Sequence, residues 1–172
     1  IFEKLAQTGD AKEVIQALRA VVNDQYTVAN TLRDDFNSQN KVYFQYESSL
    51  DKVITARDDG PGDLSLIFAY MKMLDPGSVV REGEFANAEK AGGVSEQVRT
   101  IYNKVVDGER LSPKQRSAFR NQALDIFKPE RKKYEAARAR FKTLAQNAEV
   151  DVNLILRADV NPERFNMEKV PY

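Results

Sequence analysis

Three groups of charged residues have the types and spacing that chemistry could use. Arg81, Glu82 and Glu84 sit together just after an Asp75-Pro76-Gly77 turn. A single glutamate with a raised pKa, Glu82 or Glu84, would serve as the acid of a peptidoglycan lytic enzyme. The sequence such enzymes carry around that acid, a Glu-Ser start followed by Gly-rich and aromatic segments, is absent. The cluster also has a plainer use. Near a helix N-terminus a glutamate complements the dipole, and Arg81 can join Asp75 or Glu84 in a structural ion pair. The structural use is the favoured one.

The second group is the adjacent acidic pairs, Asp34-Asp35 and Asp58-Asp59. Neighbours on a helix point in different directions, so Asp34 and Asp35 do not share a cation. Asp58 and Asp59 flank Gly60-Pro61-Gly62 without the Asp-x-Asp-x-Asp-Gly spacing of a calcium loop, and turn chemistry accounts for them. The third group is a basic run, Lys128, Arg131, Lys132, Lys133, Arg138, Arg140 and Lys142, set against Glu130 and Glu135. Such a surface suits nonspecific phosphate contact with steep salt dependence. It equally suits a solvated helix face or one neutralised by an acidic neighbour.

Composition removes much else. The 172 residues include no Cys, His or Trp, which excludes disulfides, zinc sites, thiol nucleophiles and histidine bases. Any metal would be held by oxygen ligands alone. Neither a P-loop nor a dinucleotide fingerprint occurs, so no cofactor is implied. No apolar run reaches the length of a membrane span, and no signal-peptide pattern opens the chain. The chain starts at Ile1 rather than Met, which reads as a piece of a longer polypeptide. Net charge is zero but uneven: −3 over residues 1–60, −2 over 61–112 and +5 over 113–172.

The elements that must position these groups are helices. From an Asp10-Ala11-Lys12-Glu13 capping box, a three-four series runs Ile15, Leu18, Val22, Gln25, Ala29, Leu32, Phe36, Gln39, Tyr43, Tyr46, Leu50 and Val53. No Gly or Pro interrupts it, which predicts one arm over residues 10–57, roughly 70 Å long. Gln25 and Gln39 are polar seam positions that set register or lie where the pairing is wet. A second arm over 112–148 starts at the Ser112-Pro113-Lys114-Gln115 box, and Pro129 should kink or divide it near Ile126 to Lys128. An acidic first arm against a basic second one fits an antiparallel pair.

Between the arms, residues 58–111 predict three short helices. Asp63 caps the first, which carries Leu64, Ile67, Phe68, Met71 and Leu74. Ser78 caps the second, with Val79, Val80, Phe85 and Ala88, and Gly92-Gly93 closes it. The third carries Val94, Val98, Ile101, Tyr102 and Val105 and stops at Gly108. Met71, Leu74, Val80 and Phe85 are the candidates for packing this head, and Arg81 and Glu82 for fixing its turn. The tail over 149–172 opens with an apolar run, Val152, Leu154, Ile155 and Leu156, able to pack on the arms or lead onward.

The stretch from Asp63 to Phe85, DLSLIFAYMKMLDPGSVVREGEF, resembles a module of tailed-bacteriophage internal virion, DNA-ejection and tail-associated proteins. The likeness continues through Ala91-Gly92-Gly93-Val94, Ile101-Tyr102-Asn103-Lys104 and Gly108-Glu109-Arg110-Leu111-Ser112-Pro113-Lys114-Gln115-Arg116, covering roughly residues 60–128. The resemblance implies a virion location, with the host cytoplasm during assembly. It implies other virion proteins as partners; a second copy, through an intermolecular coiled coil, is the alternative use of the helical stripes, and nonspecific DNA the alternative partner of the basic run. It brings no catalytic residues.

The expectation is therefore an all-α chain: a long antiparallel, coiled-coil-like helical hairpin with a small three-helix head inserted between its arms. Its expected role is that of a non-enzymatic structural module. The alternatives are a domain of a phage peptidoglycan lytic transglycosylase, or a nonspecific DNA-binding scaffold using the basic arm.

Overall fold

A computed structural model describes residues 11–76 and 94–157. The protein is all-α: the described residues form five α-helices and one 3-10 turn, with no strand among them. In chain order the helices are α1 (Ala11–Gln39), α2 (Lys41–Thr55), α3 (Gly60–Leu74), α4 (Glu96–Val106) and α5 (Pro113–Asn147), and the 3-10 turn is Val152–Leu154. Asp10 and the predicted Ser78 helix lie outside the described residues, as do Val80, Arg81, Glu82, Glu84, Phe85 and the tail from 158.

The first arm is not one helix. It is interrupted at Asn40, whose φ of −104° and ψ of 11° fall in the bridge region between helix and strand. Helical bonding resumes at once, with Phe44 N–H donating to the Asn40 carbonyl at 3.1 Å. The physical reason is local propensity. Asn37, Ser38 and Asn40, three types that compete for their own backbone groups, fall within four residues, and Asn40 is buried. The second arm is not divided at its proline. α5 runs undivided from Pro113 to Asn147 with the exposed Pro129 inside it. Packing of Phe127 and Tyr134 on either side offsets the one backbone bond that proline removes.

Helix ends follow their local chemistry. α3 starts earlier than predicted: its cap is Asp59, whose Oδ1 accepts from Gly62 N–H at 2.7 Å, with Pro61 in the first turn. Asp63 is thus no cap but a fully buried residue of that turn. Gly62 is required there, because a Cβ would collide with the Arg57 carbonyl. Ser95 caps α4 through Val98 N–H, and Gly108 follows at φ 98°, a conformation suited to glycine. The Ser112 box forms as predicted. Ser112 N–H donates to Gln115 Oε1 at 2.9 Å, and Gln115 N–H donates to Ser112 Oγ at 3.2 Å.

The described residues divide into two compact units. In one, residues 11–39 meet 135–157. Its pairing is antiparallel: Phe36 packs edge-on to Phe141 with ring centres 5.3 Å apart, while Gln25 Nε2 donates to the Glu149 carbonyl at 3.3 Å. Ala29, Phe36, Phe141, Ala145, Val150, Ile155 and Leu156 are its buried apolar residues. The chain turns at Glu149, at φ 53°, and the 3-10 turn packs on α1.

In the other unit, residues 40–76 and 94–134, one core gathers α2, α3, α4 and the first part of α5. Leu50, Val53, Leu66, Ile67, Met71 and Phe127 are its fully buried centre. Tyr43 stacks on Tyr134 at 3.9 Å and leans on Phe127 at 5.5 Å. Burial, with Glu47 beside the hydroxyl, pushes the Tyr43 phenol well above its usual range.

Candidate functional site

Asp63 is the centre of the strongest charge cluster. It sits in the first turn of α3, where the dipole favours an anion, and it is fully buried. Arg110 Nε donates to its Oδ2 at 2.6 Å, Leu111 N–H donates to the same oxygen at 3.1 Å, and Arg116 Nη1 donates to Oδ1. Burial acts to raise the Asp63 pKa. The three donors outweigh it, so the carboxyl is held below its usual range.

The two arginines extend the cluster to the end of α2. Arg116 Nη2 donates to the carbonyls of Ala56 at 2.7 Å and Arg57 at 2.8 Å. Arg120 adds a bond to the Ala56 carbonyl at 3.2 Å, and burial lowers its pKa. Arg110 Nη2 reaches Asp58 Oδ1 at 2.8 Å. The arrangement ties the last carbonyls of α2, the first turn of α3 and the start of α5 into one clamp. Each oxygen and each guanidinium named here is engaged with protein, so the cluster acts by holding helix ends. Asp58 and Asp59 are likewise spent on Arg110 and on the α3 cap.

A cleft of 460 Å³ opens next to this core. Tyr70, Leu74, Val98, Ile101 and Phe119 give it apolar walls, and Gln97, Gln115 and Gln122 supply polar atoms. Tyr70 Oη donates to Gln122 Oε1 at 2.7 Å. Among the described residues no charged side chain lines it. Of the predicted head residues, Met71 is fully buried and Leu74 half-buried on this wall; Val80, Arg81, Glu82 and Phe85 lie outside the described residues. Among the described residues no group of three or more acidic side chains is placed to hold a metal. No described helix is long and apolar enough to cross a membrane.

The seven basic positions of α5 fall in both units. In the larger one, Lys128 pairs with Asp125 at 3.7 Å and Lys133 with Glu130 at 2.6 Å, which raises the Lys133 pKa. Arg131 is half-buried there, and Lys132 is exposed. In the smaller one, Arg138 Nη1 donates to the Arg157 carbonyl at 2.7 Å, and Arg140 donates to Gln39 while lying over the Phe141 ring. Lys142 is exposed. Much of this run is therefore occupied by local partners. Both seam glutamines, Gln25 and Gln39, are exposed and bonded across the pair, which is the wet placement.

The remaining feature is apolar. Ile15, Leu18, Val22 and Tyr26 on α1 are 50, 41, 45 and 55% exposed, with Val21 and Val28 close behind. Ile15, Leu18 and Val22 belong to the seam that the sequence predicts to be buried; Tyr26, Val21 and Val28 lie outside that series. Sequence reading missed the Asp63 clamp entirely, because Arg110 and Arg116 lie 47 and 53 residues away and no local spacing announces them. The one available signal was an aspartate leading an otherwise apolar helix.

Comparison of the chain with protein-family models, with curated proteins and with solved structures finds no match.

Proposed function

We propose that this chain is a non-enzymatic structural module that assembles through its helix faces, as part of an internal or DNA-ejection protein of a tailed-phage virion. The virion setting comes from the resemblance of residues 60–128. The single observation that supports assembly is the apolar stripe of α1, four large side chains left about half exposed in one row. The largest apolar patch on a protein surface is often a site of contact. The use of charge agrees with it: Asp63, Arg110, Arg116 and Arg120 are committed to helix ends.

Mass spectrometry of gradient-purified particles, from the phage whose genome encodes the chain, tests the setting directly. Its peptides should be retained with the capsid through purification, and their absence sinks the virion reading. The enzymatic alternative predicts anhydro-muropeptides released from purified peptidoglycan and lost on Glu82→Gln or Glu84→Gln; the structural reading predicts none.

A further inference from the structure

We propose that the exposed apolar face of α1, centred on Ile15, Leu18, Val22 and Tyr26, docks on the same face of a second copy of this chain, with the two helices parallel and in register. This rests on the assembly reading above and names the surface and the partner.

The face is the continuation of a seam already in use. Ala29 and Phe36, later in the same three-four series, are buried within their unit. The antiparallel mate ends at Asn147, and Gln25 of α1 bonds to the turn beyond it. From Gln25 back to Ala11 the helix continues about 20 Å in the same phase. Its apolar positions there meet no mate among the described residues.

The flanks of the stripe select a like copy in parallel. With Ile15 and Val22 as first seam positions of their heptads, Val14, Val21 and Val28 form one flank and Arg19, Tyr26 and Arg33 the other. In a parallel, in-register pair each valine flank faces the opposite flank of the mate. Arg19 then lays its alkyl stem across Val14, and Tyr26 lies across Val21, with no like charges opposed. An antiparallel pair would set Arg19 against Arg19 or Lys12 of the other copy. β-Branched residues at 15 and 22 with Leu18 between them are the combination that favours two strands. Lys12, Glu13, Arg19 and Asp24 carry balanced charge around the helix, which gives no preference for nucleic acid or an anionic membrane.

Area sets the strength. A patch of six half-exposed side chains is of the order of 300–600 Å², short of the roughly 800 Å² per partner in a standard stable interface. The pair should accordingly form and dissociate with concentration.

Light scattering on the full chain from low micromolar to several hundred micromolar tests this. The expected result is a rise from monomer toward dimer mass, shifted at least tenfold higher in concentration by Leu18→Glu with Val22→Glu. Both positions are exposed, and unchanged helical circular dichroism of the double variant shows that it still folds. Because the chain holds no cysteine, single variants report orientation. Leu18→Cys should oxidise to a linked dimer far faster than Ala20→Cys on the opposite face. Monomer mass throughout, a dimer indifferent to the two glutamates, or equal oxidation rates would each overturn the proposal. A monomer result leaves assembly with a different protein standing, whereas muropeptide release removes the structural reading without altering the mass.

Discussion

α1 and α2 carry the same seam at the same spacing, yet meet different surroundings. On α2, Tyr43, Leu50 and Val53 are buried, Leu50 and Val53 completely. On the first half of α1, Ile15, Leu18 and Val22 are each two-fifths exposed or more. Nothing in the residues themselves separates the two cases. α2 shares its core with α3, α4 and the start of α5, and so is covered from several sides. Among the described residues α1 meets the end of α5 and the short turn after it. Periodicity therefore identifies the face a helix offers. The number and length of the neighbours decide whether that face is used inside the chain.

The contrast is sharpest at Asp63, the buried polar anchor of the α2-containing unit. Asp63→Ala should cost about 3–5 kcal/mol, because it strands the buried Arg116 without its anion. Urea unfolding followed by circular dichroism measures it. A loss below about 1 kcal/mol would mean that the clamp is incidental and that apolar coverage alone distinguishes the two units.

Leu50→Ala should come next, at about 2–5 kcal/mol, since it opens a cavity at a position with no exposure. The same unfolding curves give the value. The helical class, the Ser112 box and the stop at Gly108 were all legible, because caps and turns are written in three or four adjacent residues. The Asn40 interruption was not. It arises from the summed weakness of Asn37, Ser38 and Asn40, and no Gly or Pro marks it. Undivided passage through Pro129 was equally hidden, since it depends on Phe127 and Tyr134 finding aromatic partners far along the chain. The Asp63 clamp depends on residues about fifty positions apart, beyond the reach of any local pattern.

A smaller effect should appear on acidification. The donors around Asp63 hold its folded pKa below the ordinary value of 3.8. Its contribution to stability is thus fully present above pH 3.8 and is lost as pH falls through the lowered folded value. Unfolding free energy should therefore decline at the acid end in the native chain. Asp63→Asn, which cannot titrate, should show a flatter acid limb from a lower starting stability. Equal limbs in the two proteins would assign the acid sensitivity to other carboxylates.

The smallest expected effect is the most informative about α1. Leu18→Ala removes the same atoms as Leu50→Ala from a position in the same seam, but at a site 41% exposed. In a dilute, monomeric sample there is little burial to lose, and alanine is at least as good a helix former as leucine. The change in unfolding free energy should stay within about 0.5 kcal/mol. Measured again at a concentration where copies pair, the same substitution should cost more, because a second surface then covers Leu18. A loss near that of Leu50→Ala in the dilute sample would mean that the seam is already covered within one chain. The contrast between α1 and α2 would then disappear, and the exposed row would no longer be free to meet a second copy.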